Sequence, residues 1–203
     1  MKRPVLTAAA ILAALNAYGQ VAPYGIINFA NTGVPAEDRI YVNTTGVVGD
    51  GVEAPVGTAY MIALYWGPVN STTDAGFIQN GNAIGFFQPG RFLGGNRTIS
   101  PLAVSGDFVS VQVRGWSTAG QTASQLTYEQ ALILGTEVGK NAWFNMKTKH
   151  PDDAIPPPTL GFQAGWTGFA ITPVPEPCVI AVGLIGVGAA LMQRRCKRYW
   201  ACQ

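Results

Sequence analysis

Within Asp107-Phe108-Val109-Ser110-Val111-Gln112-Val113-Arg114-Gly115-Trp116, apolar and polar side chains alternate from Val109 to Arg114. Val109, Val111 and Val113 fall on one side of an extended chain, and Ser110, Gln112 and Arg114 on the other. A period of two belongs to a β-strand, and its polar half predicts a strand with one buried and one wet face. The same reading extends outward in both directions. Ala59-Tyr60-Met61-Ile62-Ala63-Leu64-Tyr65-Trp66 is an unbroken apolar run stopped by Gly67-Pro68, as a central strand would be. Gly25 to Ala30, Phe77-Ile78, Ile84 to Phe87, Ala142 to Met146 and Gly161 to Ile171 read as further strands.

One segment departs from this pattern. Thr127-Tyr128-Glu129-Gln130-Ala131-Leu132-Ile133-Leu134-Gly135 reads as a short helix with Thr127 as its N-cap and Gly135 as its stop. Pro156-Pro157-Pro158 lacks the N–H groups a ladder needs, so it predicts an extended crossover to the last strand. Neither a heptad nor a longer repeat is present. The fold class expected is all-β: a β-sandwich or jelly-roll-like body of about eight strands with one short helix.

The charge is low and unevenly placed. Charged residues are 12% of the 203, against about 25% in an average soluble chain. Between Gln20 and Val174 stand seven basic and ten acidic residues, a net charge of −3; the other six basic residues lie at the two ends. A mildly acidic body has no face for releasing counterions from phosphates, which argues against nucleic acid as a partner.

Both ends read as addresses. Lys2-Arg3, the apolar run Val5 to Leu15, and small residues at Ala17 and Gly19 before Gln20 make up a secretory signal cut by signal peptidase. As a helix that run reaches only about 16 Å, too short to cross a bilayer core of about 30 Å. At the other end Val174-Pro175-Glu176-Pro177 precedes an uncharged run from Cys178 to Met192, followed by Arg194, Arg195, Lys197 and Arg198. The apolar run suits a short transmembrane helix. The basic cluster would keep its end cytoplasmic and leave the body on the outer side. All three cysteines (Cys178, Cys196, Cys202) lie in this tail, so the body is expected to fold without a disulfide.

The order Pro175-Glu176-Pro177, apolar helix, basic cluster resembles the PEP-CTERM sorting signal, the tag of bacterial exosortase substrates. Two features differ from the usual pattern: Cys178 follows the motif where a small Ser, Thr or Ala is common, and Tyr199 to Gln203 extend the basic end. The resemblance implies an exosortase-like membrane transpeptidase as a partner, cleavage near the motif, and release or re-attachment of the body. It also implies association with extracellular polysaccharide, and the tag occurs on some ice-binding proteins. The Tyr-rich strand, the Val-x-Val-x-Val strand and the Tyr128-Glu129 helix are similar to small exported bodies that carry this tag. The expected organisation is a signal peptide at 1–19, an exported β-rich domain at 20–173, a sorting tail at 174–198 and an extension at 199–203.

Catalytic constellations are sparse. His150 is the only histidine and sits in a charged turn, Lys147-Thr148-Lys149-His150-Pro151-Asp152, with no nucleophile elbow to serve. A zinc site lacks ligands, so no metal and no cofactor is expected. Glu37-Asp38 and Asp152-Asp153 are sequence neighbours that point apart, and read as solvated loop charge. Asp50-Gly51-Val52-Glu53 lacks the spacing of a calcium loop, and Gly94-Gly95 and Gly33 read as turn glycines. The sequons at Asn43, Asn70 and Asn96 read as chance products of polar loops. Tyr60, Tyr65, Trp66, Trp116, Trp143 and Trp166 could form a sugar-stacking face, but core packing is the expectation. The reading is a non-catalytic, membrane-sorted bacterial surface or matrix protein. The alternative is a carbohydrate-binding module for exopolysaccharide, with a glycan-active enzyme or ice binding further off.

Overall fold

A computed structural model describes residues 24–71, 73–74, 76–99, 105–122 and 126–174. The signal segment with Ala17, Gly19 and Gln20 lies outside the described residues. So does the tail with Pro175, Glu176, Pro177, Arg194, Arg195, Lys197 and Arg198. Among the described residues ten strands follow in order: β1 (Ile26–Ala30), β2 (Ile40–Val42), β3 (Val52–Glu53), β4 (Gly57–Gly67) and β5 (Ile78–Phe86), then β6 (Leu93–Thr98), β7 (Phe108–Ser117), β8 (Glu137–Lys140), β9 (Phe144–Lys147) and β10 (Phe169–Pro173). One helix, α1 (Tyr128–Ile133), lies between β7 and β8. The body is therefore mostly β, as the sequence predicts. Among the described residues no helix is long and apolar enough to cross a membrane.

The main sheet runs β3-β2-β10-β8-β7-β4-β5, and β9 pairs with the first half of β7. β7 thus divides one edge between two partners: Phe108 to Val111 face β9, and Arg114 to Trp116 face β8. At the division Asn141 supplies the missing ladder bond, its Oδ1 accepting from Val113 N–H at 2.7 Å. β1 and β6 form a separate antiparallel ribbon, tied to the chain after β9 by reciprocal Ile26–Lys149 backbone bonds of 2.8 and 3.0 Å. The larger core fills the space between ribbon and sheet. It holds Ile27, Phe29 and Phe92 against Ile62, Leu64, Trp66 and the three valines of β7.

The wet face predicted for β7 is not found. Ser110, Gln112 and Arg114 are all buried. A second apolar cluster of Met61, Ala63, Tyr65, Trp116, Tyr128 and Ala131 covers that side, with α1 laid across it. Alternation identified two faces correctly but could not tell that the second is covered by a helix from elsewhere in the chain.

Other boundaries are corrected too. Phe77-Ile78 and Ile84–Phe87 belong to one strand region, because β5 continues through Gly81, whose φ is +67°. Gly94-Gly95 lies inside β6. A Cβ on Gly94 would meet the Phe29 ring at 2.4 Å, so the residue is small because the ribbon passes over that ring. The closing segment starts with a 3-10 turn at Leu160–Phe162 and becomes strand only at Phe169. The strand expected from Ala142 begins at Phe144. β2, β3, β6 and β8 gave no signal because they are short or rich in glycine and polar residues.

The helix agrees with the sequence reading. Thr127 Oγ1 accepts from Gln130 N–H at 3.3 Å, and Gln130 Oε1 accepts from Thr127 N–H at 2.9 Å, a reciprocal capping box. At the other end Thr136 N–H donates to Ala131 O and Gly135 N–H to Leu132 O, with Gly135 at φ +69°. This left-handed closure favours glycine. Gly135→Ala is expected to destabilise the body by about 1 kcal/mol, measured as a shift in the denaturant midpoint at constant slope. No shift would mean that the helix end is not set by this residue.

Candidate functional site

The face of β4 and β7 that lies under α1 carries a connected polar cluster. Their register sets Ala63 opposite Arg114 and Tyr65 opposite Gln112. The capped start of α1 brings Tyr128 and Glu129 down onto Arg114. The Arg114 guanidinium lies 4.0 Å from the Tyr65 ring centroid and 5.3 Å from that of Tyr128. Its Nε donates to Gln112 Oε1 at 2.8 Å and its Nη1 to Glu129 Oε1 at 3.0 Å. Nη2 has no acceptor among the described residues. The Tyr65 hydroxyl faces Glu129 Oε2 at 3.1 Å and Gln79 Oε1 at 3.3 Å, and has one proton to give to either. Gln112 Nε2 donates to Asn141 O at 3.1 Å and toward Asp74 Oδ1 at 3.4 Å, and Asp74 pairs with Lys140.

Two cations and two carboxylates thus alternate around a pair of tyrosines. Burial pushes the Asp74 carboxyl up, but the Lys140 hydrogen bond and charge, with Arg114 and Gln112, hold it below the usual range. Burial raises the Tyr65 hydroxyl, and the charge and hydrogen bond of Glu129 raise it further. Burial also raises Tyr128, against the opposing charge of Arg114. Glycoside hydrolysis needs one carboxyl kept protonated near neutrality. Asp74 is shifted the opposite way, and the tyrosines are held as neutral phenols. This cluster is arranged to balance charge beneath α1.

Beside it opens a cleft of about 360 Å³ lined by Met61, Gln79, Asn82, Trp116, Leu126 and Thr127. That is near the lower end of small-molecule sites, about 300–1,000 Å³. Trp116 is buried there and its indole N–H donates to Leu126 O at 3.0 Å, so it forms a floor instead of a stacking surface. A second hollow of about 410 Å³ is lined by Lys147, Lys149, His150, Asp153 and Gln163 among others. There His150 Nδ1 accepts from Asp152 N–H at 3.1 Å, and Lys149 lies 3.7 Å from Asp153. The histidine is part of the turn, as its sequence context predicts.

The remaining candidates are dispersed. Tyr65, Trp66, Trp116 and Trp166 are core residues, Tyr60 is half-buried with its hydroxyl on Glu137, and Trp143 packs against Phe77. These rings do not share an exposed plane. Glu53 pairs with Arg39 at 2.6 Å while Asp50 accepts from Thr45, so the two carboxylates of that loop serve different partners. Asn43 is occupied in closing its own loop, with bonds to Val47 O and Asp50 O. Sequence reading missed Asn141, Asp74 and Gln79. Each joins the cluster from a loop or an edge strand, where no periodicity marks it. Comparison with family models, curated proteins and solved structures gives no match for this chain.

Proposed function

We propose that this is an exported, membrane-sorted bacterial surface or matrix protein without catalytic activity, processed at its PEP-CTERM-like tail. The observation that carries the reading is the order of chemistry after the last strand. β10 ends at Pro173, and Pro175-Glu176-Pro177, the apolar run Cys178 to Met192 and the basic cluster Arg194, Arg195, Lys197 and Arg198 follow at once. The prolines cannot continue a ladder or a helix, and Glu176 resists entry into hydrocarbon, so the sequence marks a boundary between body and span. The charge-balanced cluster under α1 supports a structural body over a catalytic one. A β-sandwich is the architecture we favour, from the ribbon packed across the main sheet; the parallel β2–β10 pair is foreign to a jelly roll.

The test is to replace Pro175, Glu176 and Pro177 together by alanine in the native host and follow the body by fractionation. Full-length protein should accumulate in the inner membrane. Release or maturation at the wild-type rate would reduce the tail to a plain anchor.

A further inference from the structure

We infer that the end of the body from which the tail leaves is a lipid-docking surface, seated on the bilayer that holds the apolar run. This rests on the membrane reading of Cys178 to Met192. β10 is an interior strand, flanked by β2 in parallel and β8 antiparallel. Parallel pairing sets Ile171 beside Val42, so the loop after β2 lies next to the exit, with a Cβ on Gly46 only 4.0 Å from Thr172 Cγ2. On the other side Pro173 pairs with Glu137, so the end of α1 meets the exit two residues earlier, at Gly135. A hollow shared with Gln121, just past β7, places Ile133 and Leu134 at this same end.

Both flanks present apolar side chains to solvent. Val47 is 55% exposed, Val52 72%, Ile133 84% and Leu134 58%. Neither 43–52 nor 131–138 contains a lysine or arginine; Asp50 and Glu137 are their only charges. The opposite end, where β7 starts, also exposes Phe108 but surrounds it with charge, from Lys147, Lys149, Asp152 and Asp153.

The tether length selects the occupant. From Val174 to Cys178 is four residues, at most about 14 Å of chain. The headgroup layer alone takes about 5–7 Å of that. With the apolar run inserted, the β10 end stands no more than about 7–9 Å from the membrane surface. The side chains flanking it then reach the interface. Without basic residues the docking is apolar, so a neutral bilayer suffices and salt does not release it.

The full chain, with Cys178, Cys196 and Cys202 changed to serine, would carry an environment-sensitive fluorophore on Val47→Cys, Ile133→Cys or Asp152→Cys. These are surface positions, so the core is untouched. In phosphatidylcholine vesicles with brominated acyl chains, labels at 47 and 133 should be quenched at least about threefold more than at 152, in low and high salt alike. Equal quenching at all three in vesicle-bound chain overturns the docking alone. A blue shift without bromine quenching overturns it in favour of contact between copies. A chain that does not float with the vesicles overturns the membrane reading of the tail and the docking together.

Discussion

Glu129→Ala should cost the body about 3 kcal/mol, although a half-exposed surface residue usually contributes within about 0.5 kcal/mol. Glu129 is 53% exposed, but Arg114, to which it bonds, is 7% exposed at its side chain. Removing the carboxylate leaves a buried guanidinium whose Nη2 has no acceptor among the described residues and whose other bond runs to the neutral Gln112. The Tyr65 hydroxyl loses its anionic acceptor in the same change. Glu129→Gln keeps an acceptor for both groups and removes only the charge, so it should cost about 1 kcal/mol. Chemical denaturation at pH 7 separates the two variants. If Glu129→Ala is as mild as Glu129→Gln, Arg114 does not depend on this pair.

That contrast shows where the sequence stops being informative. Val109, Val111 and Val113 announce an apolar face by their period, and the structure places them in the main core. Ser110, Gln112 and Arg114 announce polarity, which a reader of the sequence equates with water. Polarity requires only a partner, and here the partners are Asn145, Asn141, Glu129 and the Tyr65 ring. They come from β4, the helix, the loop after β8 and β9, as far as 49 positions away for Arg114 and Tyr65 and 35 for Ser110 and Asn145. Local pattern carries no record of such pairings. The helix was legible because its capping box and left-handed stop are written within nine residues, Thr127 to Gly135. β6 and β8 were not legible. Gly94 and Gly139 are there because the Phe29 ring and the Ala170 carbonyl of neighbouring strands lie close, a cause that leaves no periodic mark.

Raising the pH past 10 should destabilise the body steeply, and Tyr65 and Tyr128 should carry most of the effect. Both are buried in the fold, and burial holds both hydroxyls above their ordinary value. In the unfolded chain they ionise near pH 10. Below that pH both states keep the protons and the full stability is present. Above it the unfolded chain gives them up first, so stability falls by about 1.4 kcal/mol per pH unit for each such tyrosine, until the folded value is reached. Tyr65 alone removes about 1.4 kcal/mol per unit, against a typical total of about 5–15 kcal/mol, and Tyr128 acts in the same direction. Tyr60 is raised as well, by burial and then by Glu137, but its partial exposure screens its share. Asp74 acts at the other end of the scale: its stabilising share is present above the unfolded carboxylate value and is lost on acidification. The check is a series of denaturant midpoints from pH 8 to 12 for the wild type and Tyr65→Phe. The variant starts lower, having lost a hydrogen bond, and should then fall along a slope shallower by about 1.4 kcal/mol per pH unit. Parallel curves would mean that Tyr65 ionises as readily in the folded body as in the unfolded chain, and that Glu129 and the covering helix leave its proton open to water.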